Sequence, residues 1–341
     1  MDILITNEWL VTTGGTGTFT YTLASELTKR KHNVFLYTND WGELADRICN
    51  DFGVKPFEDK KYDLILANHH STVKKLFRHG ITIQTCHGIF PYLEQPSAYA
   101  HGHVAISQEV QNHLLSKGFS STIIYNGIDC DRFASKNNLR VSNPVVLSLC
   151  HSEDAHIKVK TAAVSLGMGF KKLDKRIDWK WEVEDIINEC DIVVGLGRSA
   201  YEAMACGRPV VIYDKRHYAK SVGDGYFLNK ILSAVKNNCS GRYSNREMDV
   251  EEIKLELSKY SPMDGGIARM IAEENFNMST NIDDYFIYLD NINDAKEYKK
   301  LWNRFKRKLY YFLNIISPHT PKWIRVIGQL LLDKKNLHEY Y

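Results

Sequence analysis

The stretch from Asp191 to Tyr213, DIVVGLGRSAYEAMACGRPVVIY, constrains this chain more than any other. Ile192 to Val194 is a short apolar run, which reads as a buried strand. The turn Gly195-Leu196-Gly197 follows, and a short helix of small residues opens at Ser199. Gly207 stops the helix and Pro209 leads into a second strand, Val210 to Tyr213, the usual order of glycine just past a helix and proline soon after. A strand, glycine turn, helix and strand in this order set free backbone N–H groups and a positive helix end over the strand tips. A diphosphate is the natural guest of that geometry, so Gly195, Gly197, Arg198 and Ser199 are candidate donors to one.

The first residues repeat the plan. Met1 to Thr6 reads as a strand and Gly14, Gly15, Thr16 and Gly17 close a loop. Phe19, Leu23 and Leu27 then give one apolar helix face, and Val34 to Tyr37 is the next strand. Further strands are expected at 63–67, 81–85, 103–106 and 122–125, with Ser107 capping a helix that ends at Gly118. The expected class is α/β, with parallel doubly wound sheets. The loop spacing is not G-x-G-x-x-G and no Gly-Lys-Ser/Thr follows, so neither a dinucleotide fingerprint nor a P-loop is present.

Bulk properties exclude several classes. The 341 residues suffice for two domains. Hydrophobic content of 44% with 25% charged residues is a globular composition. A net charge of +3 gives no case for nucleic acid. The seven cysteines include no C-x-x-C pair, which suits reduced thiols and a cytoplasmic setting. No basic leader precedes the first strand, and no apolar run approaches the roughly 20 residues that span a bilayer.

Several side chains carry candidate chemistry. His69, His70 and His87 stand at strand tips, where parallel sheets present groups to a ligand. Taken alone, each reads first as a polar residue satisfied by backbone, and a three-histidine metal site lacks a carboxylate or cysteine at matching spacing. Glu202 has two readings. Ser199 and Glu202 have the spacing of a capping box, which alone explains the glutamate; otherwise its carboxylate accepts from the ribose hydroxyls of a nucleotide. Cys206 reads as a small buried residue. Asn126-Gly127-Ile128-Asp129 forms a tight turn that Asp129 caps, ahead of a polar linker ending at Pro144.

Four segments resemble the nucleotide-sugar glycosyltransferases of the GT-B fold, family 4 in particular: GRSAYEAMACGRPVV, the opening ITNEWLVTTGGTGTF, NGID with Phe133 after it, and RMIAEENFNMSTNIDDY near Arg269–Tyr285. The resemblance spans roughly residues 1–290. It implies two Rossmann-like doubly wound domains facing across a cleft: an acceptor domain over 1–140, a donor domain over 141–275, and a crossover helix and tail over 276–341. It also implies transfer of a sugar from a nucleotide-diphosphate sugar to a glycan or lipid-linked hydroxyl acceptor, with retention of configuration and without a metal or other cofactor. On this reading the donor contacts are Gly195, Gly197, Arg198, Ser199, Glu202 and Lys158. His87 is catalytic, and Gly14, Gly15, Thr16 and Gly17 line the acceptor side. The sequence departs from the family twice. Val194 stands where the first of two glutamates belongs, and no arginine follows the strand at Val145. Those departures keep open a GT-B-like sugar-nucleotide epimerase and a nucleotide-binding protein without turnover.

Beyond the resemblance, Lys296 to Lys308 holds seven basic residues and one acid, interleaved with Trp302 and Phe305. Such a segment is suited to an anionic membrane surface, or to the protein's own flank. Vesicle flotation separates these: the full chain is expected to float with anionic vesicles and a form lacking 296–341 to stay below, whereas equal partitioning removes the membrane role.

Overall fold

The computed structural model describes residues 1–12, 14–174, 181–216, 220–228 and 230–294, without the side chains of 220 and 221. The basic tail therefore lies outside the described residues. The chain divides into two compact units, Met1–Tyr285 and Phe286–Tyr341. In the second, the described residues 286–294 are helical.

The first unit holds two sheets. In chain order its opening elements are β1 (Asp2–Leu10), α1 (Gly15–Lys29), β2 (Asn33–Trp41), α2 (Glu43–Phe52), β3 (Lys55–Pro56), β4 (Tyr62–Ala67), α3 (His70–Leu76), β5 (Gly80–Cys86), β6 (Gly102–Ala105), α4 (Gln108–Ser116) and β7 (Thr122–Ile123). They build a seven-stranded sheet in the order β3-β2-β1-β4-β5-β6-β7, with every pairing parallel. Covered on both faces, its central strands are buried almost without a break. Phe19, Leu23 and Leu27 all pack inward from α1, as their spacing requires.

The second sheet follows with β8 (Val145–Ser148), α5 (Glu153–Ser165), β9 (Gly169–Lys172), α6 (Val183–Asn188), β10 (Ile192–Gly195), α7 (Arg198–Ala205), β11 (Val210–Arg216) and β12 (Lys220–Tyr226). Helices α8 (Ile231–Ala234), α9 (Val250–Leu257) and α10 (Asp264–Asn275) come after it. The strand order is β12-β11-β10-β8-β9. Its edge departs from the parallel expectation, because β12 returns antiparallel to β11. Gly207 has φ +67° and Gly118 φ +83°, so both helix stops expected from the sequence are left-handed. All seven cysteines are free.

The turn at Asn126-Gly127 is stitched to the end of the unit. The Ile128 N–H donates to the Phe276 carbonyl (2.6 Å) and the Met278 N–H to the Ile128 carbonyl (3.0 Å). A Cβ on Gly127 would lie 2.9 Å from the Met278 Cα, so only glycine allows this approach. Asp129 accepts from the N–H groups of Asp131 and Arg132, as a capped turn should. Residues 278–285 are helical and tie back to the first sheet: Asn281 donates to the Tyr125 carbonyl, Tyr285 bonds Thr85, and Arg30 pairs with Asp283.

Arg208, 1% exposed, links the second sheet to the segment that precedes it. Its guanidinium donates to the carbonyls of Cys190, Cys206, Asn137 and Asn188 and to the Ser135 hydroxyl, at 2.7–3.2 Å. Burial lowers its pKa, yet the bonds hold the cation in place. Arg208→Met leaves four buried carbonyls without that donor and is expected to cost roughly 3 kcal/mol or more. Urea unfolding measures this, and a loss under about 1 kcal/mol would show that water replaces the guanidinium.

Candidate functional site

In a doubly wound sheet, the crevice for a ligand opens where neighbouring strands send their crossovers in opposite directions, at the C-terminal ends. Here those points fall between β1 and β4 in the first sheet and between β8 and β10 in the second.

At the second point, Leu149 to Ser152 faces Gly195 to Ser199. Gly197 adopts φ +58° and ψ −128°, a conformation open in practice only to glycine, and its N–H donates to the Cys239 carbonyl (2.9 Å). This residue, not Ser199, is the N-cap of α7, and no side chain caps the helix. The capping-box reading is therefore overturned, because the helix starts two residues earlier than an N-cap at Ser199 requires and Ser199 already lies inside it. The first turn of α7 carries no acid. The helix after β8 is the opposite case: Ser152 caps α5, and Glu153 and Asp154 occupy its first turn. An anion is favoured at α7 and opposed at α5.

Of the expected donor residues, Gly195, Gly197, Arg198, Ser199 and Glu202 lie on this turn and the helix it opens, in arrangements the sequence does not disclose. Gly195 packs against Leu149 and Ser199; a Cβ there would lie 3.5 and 3.4 Å from theirs. Glu202 is buried and accepts from Arg198 Nε at 3.1 Å, one helical turn away. The same guanidinium donates to the Gly127 carbonyl (2.8 Å) and to the Thr22 hydroxyl on α1 (2.9 Å). Arg198 thus joins the two sheets' halves. Burial lowers its pKa, and Glu202 opposes that shift. Lys158 lies on α5 with its amine 3.8 Å from Asp154, which also receives Lys215 at 2.8 Å. Asp214, fully buried at the end of β11, accepts from the His151 N–H and from Arg216 Nε, fixing the loop after β8.

At the first point the glycine loop leads straight into α1. Gly14 is the N-cap without a side-chain bond, and the first turn again lacks an acid. A Cβ on Gly14 or Gly15 would meet nothing within 4 Å, so this end is open, while Gly17 packs on Leu44. Thr16 accepts through its carbonyl from the Thr20 hydroxyl (2.8 Å). That hydroxyl in turn accepts from Asn7 and Asn68, each at 3.0 Å. The Asn7 Oδ1 is buried with no partner among the described residues.

His87 completes this network. Its Nε2 is 2.9 Å from Asn68 Oδ1 and its Nδ1 3.2 Å from Asn126 Oδ1, while Phe19 meets the ring edge-on at 4.8 Å. The Asn68 amide nitrogen already donates to the Thr6 carbonyl, so its oxygen faces the ring and Nε2 carries the proton. Burial and neighbouring His69 push the His87 pKa down to about 3. The ring is neutral at physiological pH and its one proton is directed at an asparagine oxygen, which makes it an oriented donor and a weak proton acceptor. His69 accepts the Glu8 N–H at Nδ1 and is lowered to about 4 by burial, whereas His70 turns to the Leu93 carbonyl. The three histidines therefore serve different partners. Among the described residues no group of His, Cys, Asp and Glu is arranged to hold a metal. Cys206 is buried with its thiol pushed up to about 12.

Sequence reading singled out His87 but missed Asn68, which holds it. The signal was available, since Asn68 directly follows a strand and strand tips face the crevice.

No protein-family model matches the chain, and no curated protein matches it in sequence. Solved structures match it in fold. A glycosyltransferase from Rickettsia africae ESF-5 is 14% identical with a TM-score of 0.59, over 85% of this chain and 98% of that one. An alpha-glucosyltransferase in complex with UDP and a 13-mer DNA containing a HMU base is 13% identical with a TM-score of 0.52, over 85% and 99%. S. aureus MnaA, solved with UDP, is 12% identical with a TM-score of 0.50, over 86% and 98%. At these identities the likeness establishes architecture: the chain has the GT-B fold, two Rossmann-like doubly wound sheets facing across a cleft.

Because both rings bind protons more weakly when folded, their contribution is intact above the ordinary value of 6.5 and is lost as pH falls toward about 4 for His69 and about 3 for His87. His87→Gln is expected to flatten the fall in urea midpoint between pH 6.5 and 4; an unchanged slope refutes the buried neutral ring.

Proposed function

We propose that this protein transfers a sugar from a nucleotide-diphosphate sugar to a hydroxyl acceptor. The observation that carries the reading is the pair of uncapped helix ends, on α1 and α7. Both lack first-turn acids, and each opens at the switch point of its sheet. On this reading the Gly195–Ser199 turn binds the diphosphate. Fixed N–H donors there stabilise the charge that develops on the departing nucleotide, so no metal or other cofactor is invoked. Glu202 accepts from the ribose hydroxyls once Arg198 yields its place, and Arg198 and Lys158 supply positive charge nearby. His87 and the Gly14–Gly17 loop face the transferred sugar and the acceptor.

Two structures alike in fold were solved with UDP, which supports a nucleotide donor. The acceptor we propose is a glycan or lipid-linked hydroxyl in surface polysaccharide or glycolipid assembly. The reaction would take place at the cytoplasmic face of a membrane reached by the basic segment 296–341. The resemblance implies retention of configuration. With valine at 194, the outcome depends on which side chain takes the acceptor proton.

A second reading, nucleotide binding without turnover, is favoured by the closed Arg198–Glu202 pair. A donor panel separates the two. UDP-, GDP-, ADP-, dTDP- and CMP-sugars are each offered, and thermal shift and nucleotide release are recorded. One nucleotide class is expected to stabilise the protein and be turned over. Glu202→Gln is expected to weaken that donor roughly 10–100-fold, the scale of a charged hydrogen bond or two. Stabilisation without release supports binding alone, and no response to any donor ends both readings.

A further inference from the structure

His87 is spent on two asparagines, so the proton of an acceptor hydroxyl needs another destination. The loop after β5 supplies one. From Cys86 the chain runs through His87-Gly88 into a single 3-10 turn, Tyr92–Glu94. The turn is held from several sides. Gln95 donates to the Pro91 and Ile89 carbonyls and accepts from His113, Gln84 donates to the Gln95 carbonyl, and His70 meets the Leu93 carbonyl at 3.2 Å. Tyr92 points outward, 78% exposed, with its ring against His70 at 4.8 Å. Glu94 points the other way, back to the strand tip. Its Oε2 lies 2.7 Å from where a Cβ on Gly88 would be. Gly88 has no positive φ, so what the position needs is the missing side chain, and the space goes to the Glu94 carboxylate.

That carboxylate is half-buried, and no hydrogen bond or ion pair to it is found among the described residues. Other enclosed acids each have at least one partner: Glu202 has Arg198, Asp191 has Arg140, Asp214 has Arg216, Glu256 has Lys259 and Arg246, Asp264 accepts from the Tyr226 hydroxyl and Asp224 from the Ser244 N–H. An enclosed acid without a partner is unfavourable where it stands, and such groups concentrate at sites of chemistry.

We propose that Glu94 is the general base of the transfer, accepting the proton of a sugar hydroxyl on the acceptor; this rests on the function proposed above. The acceptor O–H gives its proton to a Glu94 oxygen as that oxygen atom of the acceptor bonds the anomeric carbon. The bond from that carbon to the diphosphate breaks, and its electron pair leaves on the diphosphate oxygen. One displacement of this kind inverts the anomeric centre and needs no second acid, which fits valine at 194. The carboxylate lies beside Gly88 and Pro91 at the end of β5, one residue past His87.

The groups around Glu94 do not compete for its proton. Burial alone raises its carboxyl to about 7. On β5, the Cys86 thiol is pushed up to about 12, first by burial and then by Glu94. His70 on α3 is turned to the Leu93 carbonyl, His87 is neutral, and Arg242 over Phe90 is paired with Glu109.

The test uses the full chain, the donor class that binds, and p-nitrophenyl pyranosides as acceptor probes, with water as the background acceptor. Donor binding by thermal shift is expected to be unchanged in Glu94→Gln, while nucleotide release falls roughly 100-fold or more. The wild-type rate is expected to rise with pH through a midpoint near 7, and the variant to lose that limb. The product anomer, read by NMR, is expected to be inverted. Glu94→Gln should melt no lower than wild type above pH 7, since it removes an unpaired charge, so lost activity cannot be put down to unfolding. Wild-type rates in the variant, an unchanged pH limb or a retained anomer overturns the role of Glu94 and leaves donor binding standing. Absence of donor binding by the wild type overturns the transfer itself, and the base with it.

Discussion

A guanidinium buried among carbonyl oxygens fixes the geometry from which the rest follows. Arg208 sits in the turn between α7 and β11 and collects the end of α7, the end of α6 and the segment that leads from the first sheet to the second. Among the described residues no carboxylate is one of its hydrogen-bond partners, so its charge is held by dipoles converging from fixed backbone. Shifting any of these strands strands a donor or an acceptor in a dry interior, where each lost bond costs about 1–3 kcal/mol. The position of α7, and with it the direction of its open N-terminus, is set from behind by this contact.

From the front, α7 is held by Arg198. Its reach to Gly127 and Thr22 gives the cleft a polar floor that belongs to both halves of the unit. The same side chain occupies Glu202, so the contact across the cleft and the buried carboxylate share one ion pair. A buried pair of this kind gains little net stability, since desolvation offsets most of its attraction. Under the proposed function, exchange of Arg198 for ribose hydroxyls would thus be a trade between near-equal states. The first sheet supplies the complementary surface, where a neutral imidazole, two asparagines and a threonine hydroxyl form one chain of bonds around His87.

Much of this architecture is legible in the sequence, because short apolar runs between glycine turns and four-residue apolar helix faces survive as parallel strands and crossovers. The stops at Gly118 and Gly207, the Ser107 cap and the Asp129 turn are local features with local causes. What escapes is set by distance along the chain. The antiparallel return of β12 carries no periodic signal that separates it from a parallel edge. Ser199 and Glu202 have capping-box spacing, yet the conformation of Gly197 moves the helix start and frees Glu202 for Arg198. Glu94 lies in an irregular loop, and its isolation is visible only once Gly88 is seen beside it. Asn68 and Asn126 meet on His87 from segments far apart, and no spacing rule connects them.

The stitch between Ile128 and the Phe276–Met278 segment has a consequence for how the chain comes into being. About 150 residues separate its two sides. At 5–20 residues per second, the second side leaves the ribosome roughly 8–30 s after the first. Throughout that interval the seven strands of the first sheet are already available, while the Ile128 amide, the Tyr125 carbonyl and Arg30 await partners that have not been made. The first half therefore waits in the cell as an unfinished surface, open to chaperones and to other nascent copies, until the closing helix arrives.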